Sequence, residues 1–137
     1  YNYINRAKMS PRESLMAAYD ADVFLSSANA ITSDGVMVNI DGNSNRVSCI
    51  AQGPKKVVFI VGINKVCSDL DAAMKRARNV AAPVNAQRFE VKTPCKTTGK
   101  CFDCKSPDTI CCQFLITRYS RHTGRIHVIL VNDNLGF

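Results

Sequence analysis

Five of the chain's seven cysteines fall within eighteen residues, written Cys95-Lys-Thr-Thr-Gly-Lys-Cys101-Phe-Asp-Cys104-Lys-Ser-Pro-Asp-Thr-Ile-Cys111-Cys112. Thiols gathered in a polar stretch can close around a metal, work as a redox pair, form disulfides, or stand as ordinary reduced thiols. One Cys-x-x-Cys is present, Cys101 to Cys104. Cys95 lies six residues before it and Cys111 seven residues after it. Four thiolates suffice for tetrahedral zinc, and Gly99 and Pro107 supply bends for the wrapping. Cys95, Cys101, Cys104 and Cys111 are therefore the expected metal ligands. Zinc is slightly preferred to an iron–sulfur cluster, since the loop is short and polar and the dense Cys-x-x-Cys-x-x-Cys run is absent. A second Cys-x-x-Cys, which would complete a zinc ribbon, is also absent. Cys112 follows Cys111 directly and would serve the opposite face of a starting strand. Lys96, Lys100 and Lys105 favour thiolate over thiol nearby.

A second candidate is a pair of turns, Asp34-Gly35 and Asp41-Gly42-Asn43-Ser44-Asn45-Arg46. Glycine turns beside a helix start suit an anion, and Arg46 adds a charged fork. Asp34, Asp41, Asn43, Asn45 and Arg46 are the expected small-anion site, with Arg46 in a concavity near Asp34. The plainer reading is an Asx turn that caps a helix, with Arg46 in solvent.

The elements that would position these residues are legible in outline. Ser10-Pro11-Arg12-Glu13 reads as a capping box opening a helix to about Asp20. Strands are expected at 22–26 and 36–40, then a short helix ending near Gly53-Pro54. Lys56 to Gly62 is apolar without alternation, which predicts burial on both faces, as in a parallel sheet. A helix follows from about Ser68, and Pro83 is expected to end or kink it. Segments 113–119 and 125–131 read as strands around Ser120–Gly124, an antiparallel pair at a sheet edge. Strands alternating with helices over the first ninety residues indicate an α/β fold with a mainly parallel sheet.

Composition narrows the function. The 137 residues fit one domain, and no apolar run approaches the length that spans a bilayer, so no membrane role is expected. The chain opens on Tyr1 without a signal-peptide pattern, which reads as a processed or partial chain. An odd cysteine count forbids complete internal pairing, and a cytoplasmic, reducing compartment is expected. Net charge is +7, and five of those charges come from Ala86 to Arg125. That patch can attract nucleic acid or small anions, or be a solvated face. With few aromatics near the lysines and no reading helix, no specific nucleic-acid binding is expected. Only Glu13 and Glu90 are glutamates, neither in a nucleophile setting, and no phosphate loop is present.

Several ordered motifs carry a family likeness. Asp22-Val-Phe-Leu-Ser-Ser-Ala-Asn-Ala-Ile-Thr, Asp34-Gly35, Asn39-Ile-Asp-Gly-Asn-Ser-Asn-Arg46, Gly53-Pro-Lys-Lys-Val, Val61-Gly-Ile-Asn-Lys65 and Ala81-Ala-Pro-Val-Asn-Ala86 resemble the lactate-utilization (LUD) domain family. Thr93-Pro-Cys with the later cysteines, and Gly124-Arg-Ile-His-Val-Ile-Leu-Val, resemble a cysteine-bearing branch from anaerobic bacteria. The resemblance covers nearly the whole chain. It implies a Rossmann-like fold similar to CoA-transferases and sugar-phosphate isomerases, here as one LUD-type domain over 1–137 with a cysteine-rich loop at 93–112. It also implies an accessory role in lactate or related organic-acid oxidation, beside iron–sulfur partner proteins and with a small anionic metabolite. Two other readings stand beside it: a metal-stapled module contacting nucleic acid or a protein partner, and a small-molecule enzyme of the CoA-transferase-like group. The family's earlier strands and Gly-rich loop have no counterpart before Tyr1. Position 44 is Ser where the family turn leads one to expect Gly, and the scarcity of glutamates weighs against a CoA-transferase nucleophile.

Overall fold

The computed structural model describes residues 2–137. Helix α1, Pro11–Tyr19, opens on the capping box, with Ser10 Oγ accepting from the Glu13 N–H and Glu13 reaching back to the Ser10 N–H. Strand β1 is Val23–Ser26, β2 Ala30–Thr32 and β3 Met37–Asp41, followed by helix α2, Asn45–Ala51. Strand β4 is Lys56–Gly62 and β5 Val66–Cys67. Helix α3, Leu70–Arg76, continues through a π-helical turn, Ala77–Ala81, into α4, Ala82–Ala86. Pro83 does not end this run. A proline offers no N–H to the preceding turn, and the widened π segment just before it absorbs the mismatch. The short helix α5 is Pro94–Thr98, and strands β6, Gln113–Thr117, and β7, Ile126–Val131, complete the chain.

The strands form two sheets. The first is parallel, in the order β1-β4-β7, with Leu25 opposite Val58 and Phe59 opposite Val128. The second is mixed, in the order β5-β2-β3-β6. The α/β class with a mainly parallel sheet and flanking helices is as expected, but the pairing of the last two strands is not. β6 lies antiparallel to β3 in the second sheet, whereas β7 lies parallel to β4 in the first. Ser120–Gly124 is thus a crossover between sheets and not a hairpin turn. Burial on both faces of β4 also needs correction. Val57, Phe59 and Val61 are fully buried, but Ile60 on the opposite face is 40% exposed, beside exposed Leu25 and Ile129. Among the described residues, packing covers one face of this sheet.

The core lies between the sheets and α2, where Ala28, Ile31, Met37, Ile50, Val57, Phe59 and Val61 meet. A smaller cluster joins Ala30, Val38 and Ile40 to Ala73 and Ala77. Arg125 locks the join. Its guanidinium donates to the carbonyls of Pro54, Ile50 and Cys49 at 2.8–3.0 Å, which satisfies the otherwise unpaired end of α2.

The residue before α2 takes an unusual conformation. Ser44 has φ 62 in the left-handed region, a conformation that favours glycine. Ser44→Gly should relieve this strain against the greater freedom of glycine in the unfolded chain. Urea unfolding should show a gain of about 0.5–1 kcal/mol with an unchanged slope. A loss of stability would show that the Ser44 side chain supports the turn.

Candidate functional site

The cysteine loop is built by local rules. Pro94 occupies the first turn of α5 and Gly99, at φ 71, ends it, its N–H bonding the Cys95 carbonyl at 2.9 Å. Cys95 is buried on this helix, and its Sγ lies 3.4 Å from Thr93 Oγ1. The Cys101–Cys104 segment then folds into a knuckle. Asp103 takes φ 53, which turns its N–H toward Cys101 Sγ at 3.4 Å. Arg78 reaches over from the π-helical turn, donating to the same sulfur at 3.7 Å and pairing with Asp103 Oδ1 at 2.7 Å. Thr109 joins the far side, accepting from Cys104 Sγ at 3.9 Å and from the Cys111 N–H at 3.3 Å.

These contacts place four cysteines around one cavity. Cys95, Cys101, Cys104 and Cys111 all line a small cavity of about 30 Å³, with Arg78, Thr93, Phe102 and Phe114 around them. Cys112 is exposed and donates to the Thr109 carbonyl at 3.6 Å. All seven cysteines are free thiols. Among the described residues, no three His, Cys, Asp or Glu side chains stand close enough together to hold a metal ion. Four thiols are donors of the kind soft metals take, and they would have to close inward to coordinate one. Burial, with the neighbouring Cys101, Cys95, Cys104 and Cys112 sulfurs, pushes the Cys111 thiol up to about 11.

The expected anion residues have definite places. Asp41 caps α2 with its own carboxylate: Oδ2 accepts the N–H groups of Arg46 and Val47 at 2.9 and 3.1 Å, and Oδ1 accepts that of Gly42. The Arg46 guanidinium turns inward, donating to the carbonyls of Ser27 and Ile40 and to Asn29 Oδ1. Burial lowers its pKa, against the pull of Asp41. Asn45 begins α2, and Asn43 is exposed in the turn. Asp34 belongs to a different corner, bonded to Thr32 Oγ1 in the β2–β3 turn. The length of β3, on the order of 15 Å, separates it from Asp41. The turn also supports the cysteine loop. The Cys112 N–H donates to the Asp41 carbonyl at 2.9 Å, and a side chain at Gly42 would lie 3.4 Å from the Ile110 backbone.

Sequence reasoning missed Arg78, which meets a sulfur only through the fold, and Thr109, which lies within the Cys104–Cys111 segment itself. It also missed Lys65, Arg76 and Asn39. Asn39 is fully buried on β3 with neither amide atom partnered among the described residues, an arrangement that costs about 1–3 kcal/mol unless something binds there. A buried Asn inside an apolar strand was the available signal.

The thiols should therefore differ in reactivity. In metal-free, reduced protein at mildly alkaline pH, alkylation followed by mass spectrometry should mark Cys112 first and buried Cys49 and Cys95 last. Cys111 should gain reactivity only as the pH approaches the value quoted for it, because it keeps its proton through the range in which an ordinary thiol ionises. A Cys111 that reacts as fast as Cys112 would contradict this placement.

Comparison with known proteins gives one match. The family model described as the LUD domain matches residues 5–131. No curated protein and no solved structure matches the chain.

Proposed function

Because the chain belongs to the LUD domain family, we propose that it is an accessory of lactate or related organic-acid oxidation whose cysteine loop binds a metal. The observation that carries the metal reading is the single cavity lined by Cys95, Cys101, Cys104 and Cys111, with N–H donors already turned to a sulfur. Backbone and guanidinium hydrogens on a sulfur are what a charged, metal-bound thiolate accepts. Zinc held by these four residues would tie α5, the Cys101–Cys104 knuckle and the entry to β6 together. Four thiolates around a divalent ion leave an excess of negative charge, which Arg78 stands beside. An iron–sulfur cluster, if bound there, would supply one-electron transfer to iron–sulfur partner proteins. A cytoplasmic, reducing compartment fits seven free thiols. Among the described residues, no helix is long and apolar enough to cross a membrane.

Protein prepared anaerobically under reducing conditions should carry one zinc or one iron–sulfur cluster per chain by elemental analysis. Replacing both Cys101 and Cys104 with Ser should abolish it while leaving the far-ultraviolet circular dichroism of the sheet core in place. Chelation should lower the melting temperature of the wild type and leave the double variant unmoved. A wild-type protein with neither zinc nor iron would end the metal reading. The metabolic reading has its own test: disruption of the gene should slow growth on lactate and spare growth on a sugar, and equal growth on both would contradict it.

A further inference from the structure

Lys65 is a buried lysine with no counter-charge among the described residues. It is 5% exposed, at the end of the 3-10 turn that follows β4, and its ammonium donates to Ser27 Oγ at 3.0 Å. Two guanidinium groups converge on the same stretch of chain. Arg46 holds the Ser27 carbonyl at 3.4 Å and Asn29 Oδ1 at 3.1 Å. Arg76 donates to the Asn29 carbonyl and, at 2.9 Å, to that of Asn64. The ion pairs among the described residues, Lys55–Asp22 and Arg78–Asp103, include none of the three. The acid that acts on Arg46 is Asp41, and its carboxylate is engaged with the α2 N–H groups. Burial, then the Arg76 and Arg46 charges, hold Lys65 below the ordinary lysine range. Unpaired buried charge of this kind is strongly unfavourable without a partner.

We propose that Lys65, Arg76 and Arg46, with Ser27, form a receptor for a small dianionic oxyanion, a dicarboxylate or a phosphate, at the carboxyl ends of β1 and β4. The place is the one where open parallel sheets hold ligands. β1 and β4 are adjacent and parallel, β1 ends one residue before Ser27, and β4 ends three residues before Lys65. The charge matches too: three cations against the single Asp41 carboxylate leave a surplus that a dianion neutralises. Donors are to spare, since an ammonium carries three hydrogens and a guanidinium five. Asn39 adds an unpartnered amide in the same layer. It shares a face of β3 with Met37, which packs with Ala28 and Val61, the residues next to Ser27 and Gly62. The segment at Leu135 and Gly136 lies beside the cluster. Asn64 bonds the Leu135 N–H at 3.2 Å and the Gly136 carbonyl at 3.1 Å, and a side chain at Gly136 would lie 3.5 Å from Lys65 Nζ. This receptor shares no residue with the cysteine cavity, so it stands or falls independently of the metal.

The test is thermal unfolding of the full chain with malonate, with inorganic phosphate, and with sodium chloride at matched ionic strength. Wild type should be stabilised saturably by malonate or phosphate beyond the chloride control. Lys65→Met should melt higher than wild type without an oxyanion, since it removes an uncompensated buried charge, and should lose the response. Lys55→Met, at an exposed surface pair, should respond as wild type does. A response to malonate alone assigns a carboxylate ligand, to phosphate alone a phosphate, and to both the shared chemistry. Arg76→Gln gives an independent reading and should raise the half-saturating concentration about tenfold. No saturable response in wild type, a response kept in Lys65→Met, or an unchanged midpoint in Arg76→Gln would overturn the proposal.

Discussion

Asp41 is the tie on which the arrangement depends. Its carboxylate takes the N–H groups of Gly42, Arg46 and Val47, so it ends β3 and starts α2 in one residue. Its carbonyl takes the Cys112 N–H, and Asp41 is opposite Gln113 in the β3–β6 ladder. A carboxylate at a helix start is stabilised by free N–H groups and the dipole. That one interaction sets the direction of α2, which presents Val47 and Ile50 to the core and Arg46 to the carbonyls beyond β1. The end of the cysteine loop is pinned to the same residue. Without the cap, both the helix and the loop exit would lose their common anchor.

Two side-chain clusters, the cysteine cavity and the Lys65 group, are assembled by different means. The cysteine cavity relies on short-range devices: a proline, two left-handed residues and a threonine shared between two cysteines. Arg78 supplies its charge from the π-helical turn, a distortion that permits Pro83 and also sets where the following helix begins. The Lys65 cluster instead relies on long-range assembly. Ser27, Arg46, Lys65 and Arg76 come from four separate parts of the chain and meet only because β1 and β4 run parallel. Arg125 contributes to neither place, although it belongs to the basic stretch that suggests an anion patch. Three backbone carbonyls occupy it.

Local signals were legible and nonlocal ones were not. The Ser10–Glu13 capping box, the β4 run and the helix after Ser68 were readable because neighbours in sequence decide them. Cys111 borders the cavity and Cys112 is exposed, but both precede β6, so strand alternation does not decide between them. The partners of β6 and β7 were not readable. Ser120–Gly124 has the residues of a hairpin turn, yet the free edges of β3 and β4 lie in different sheets and each takes one strand. The Asp41 turn reads equally as an anion cradle or as a cap, because both use the same N–H groups. Only the side-chain position shows that the carboxylate already fills that place. The burial of Lys65 was not readable, since Ser27 and Gly136, which lie against its ammonium, are more than thirty residues away on either side.

X-ray absorption at the zinc edge of zinc-loaded protein tests the cysteine cavity most directly. Closure of Cys95, Cys101, Cys104 and Cys111 on the ion predicts four sulfur neighbours at about 2.3 Å. A first shell dominated by nitrogen or oxygen, or one unchanged when Cys101 and Cys104 are replaced, would contradict it.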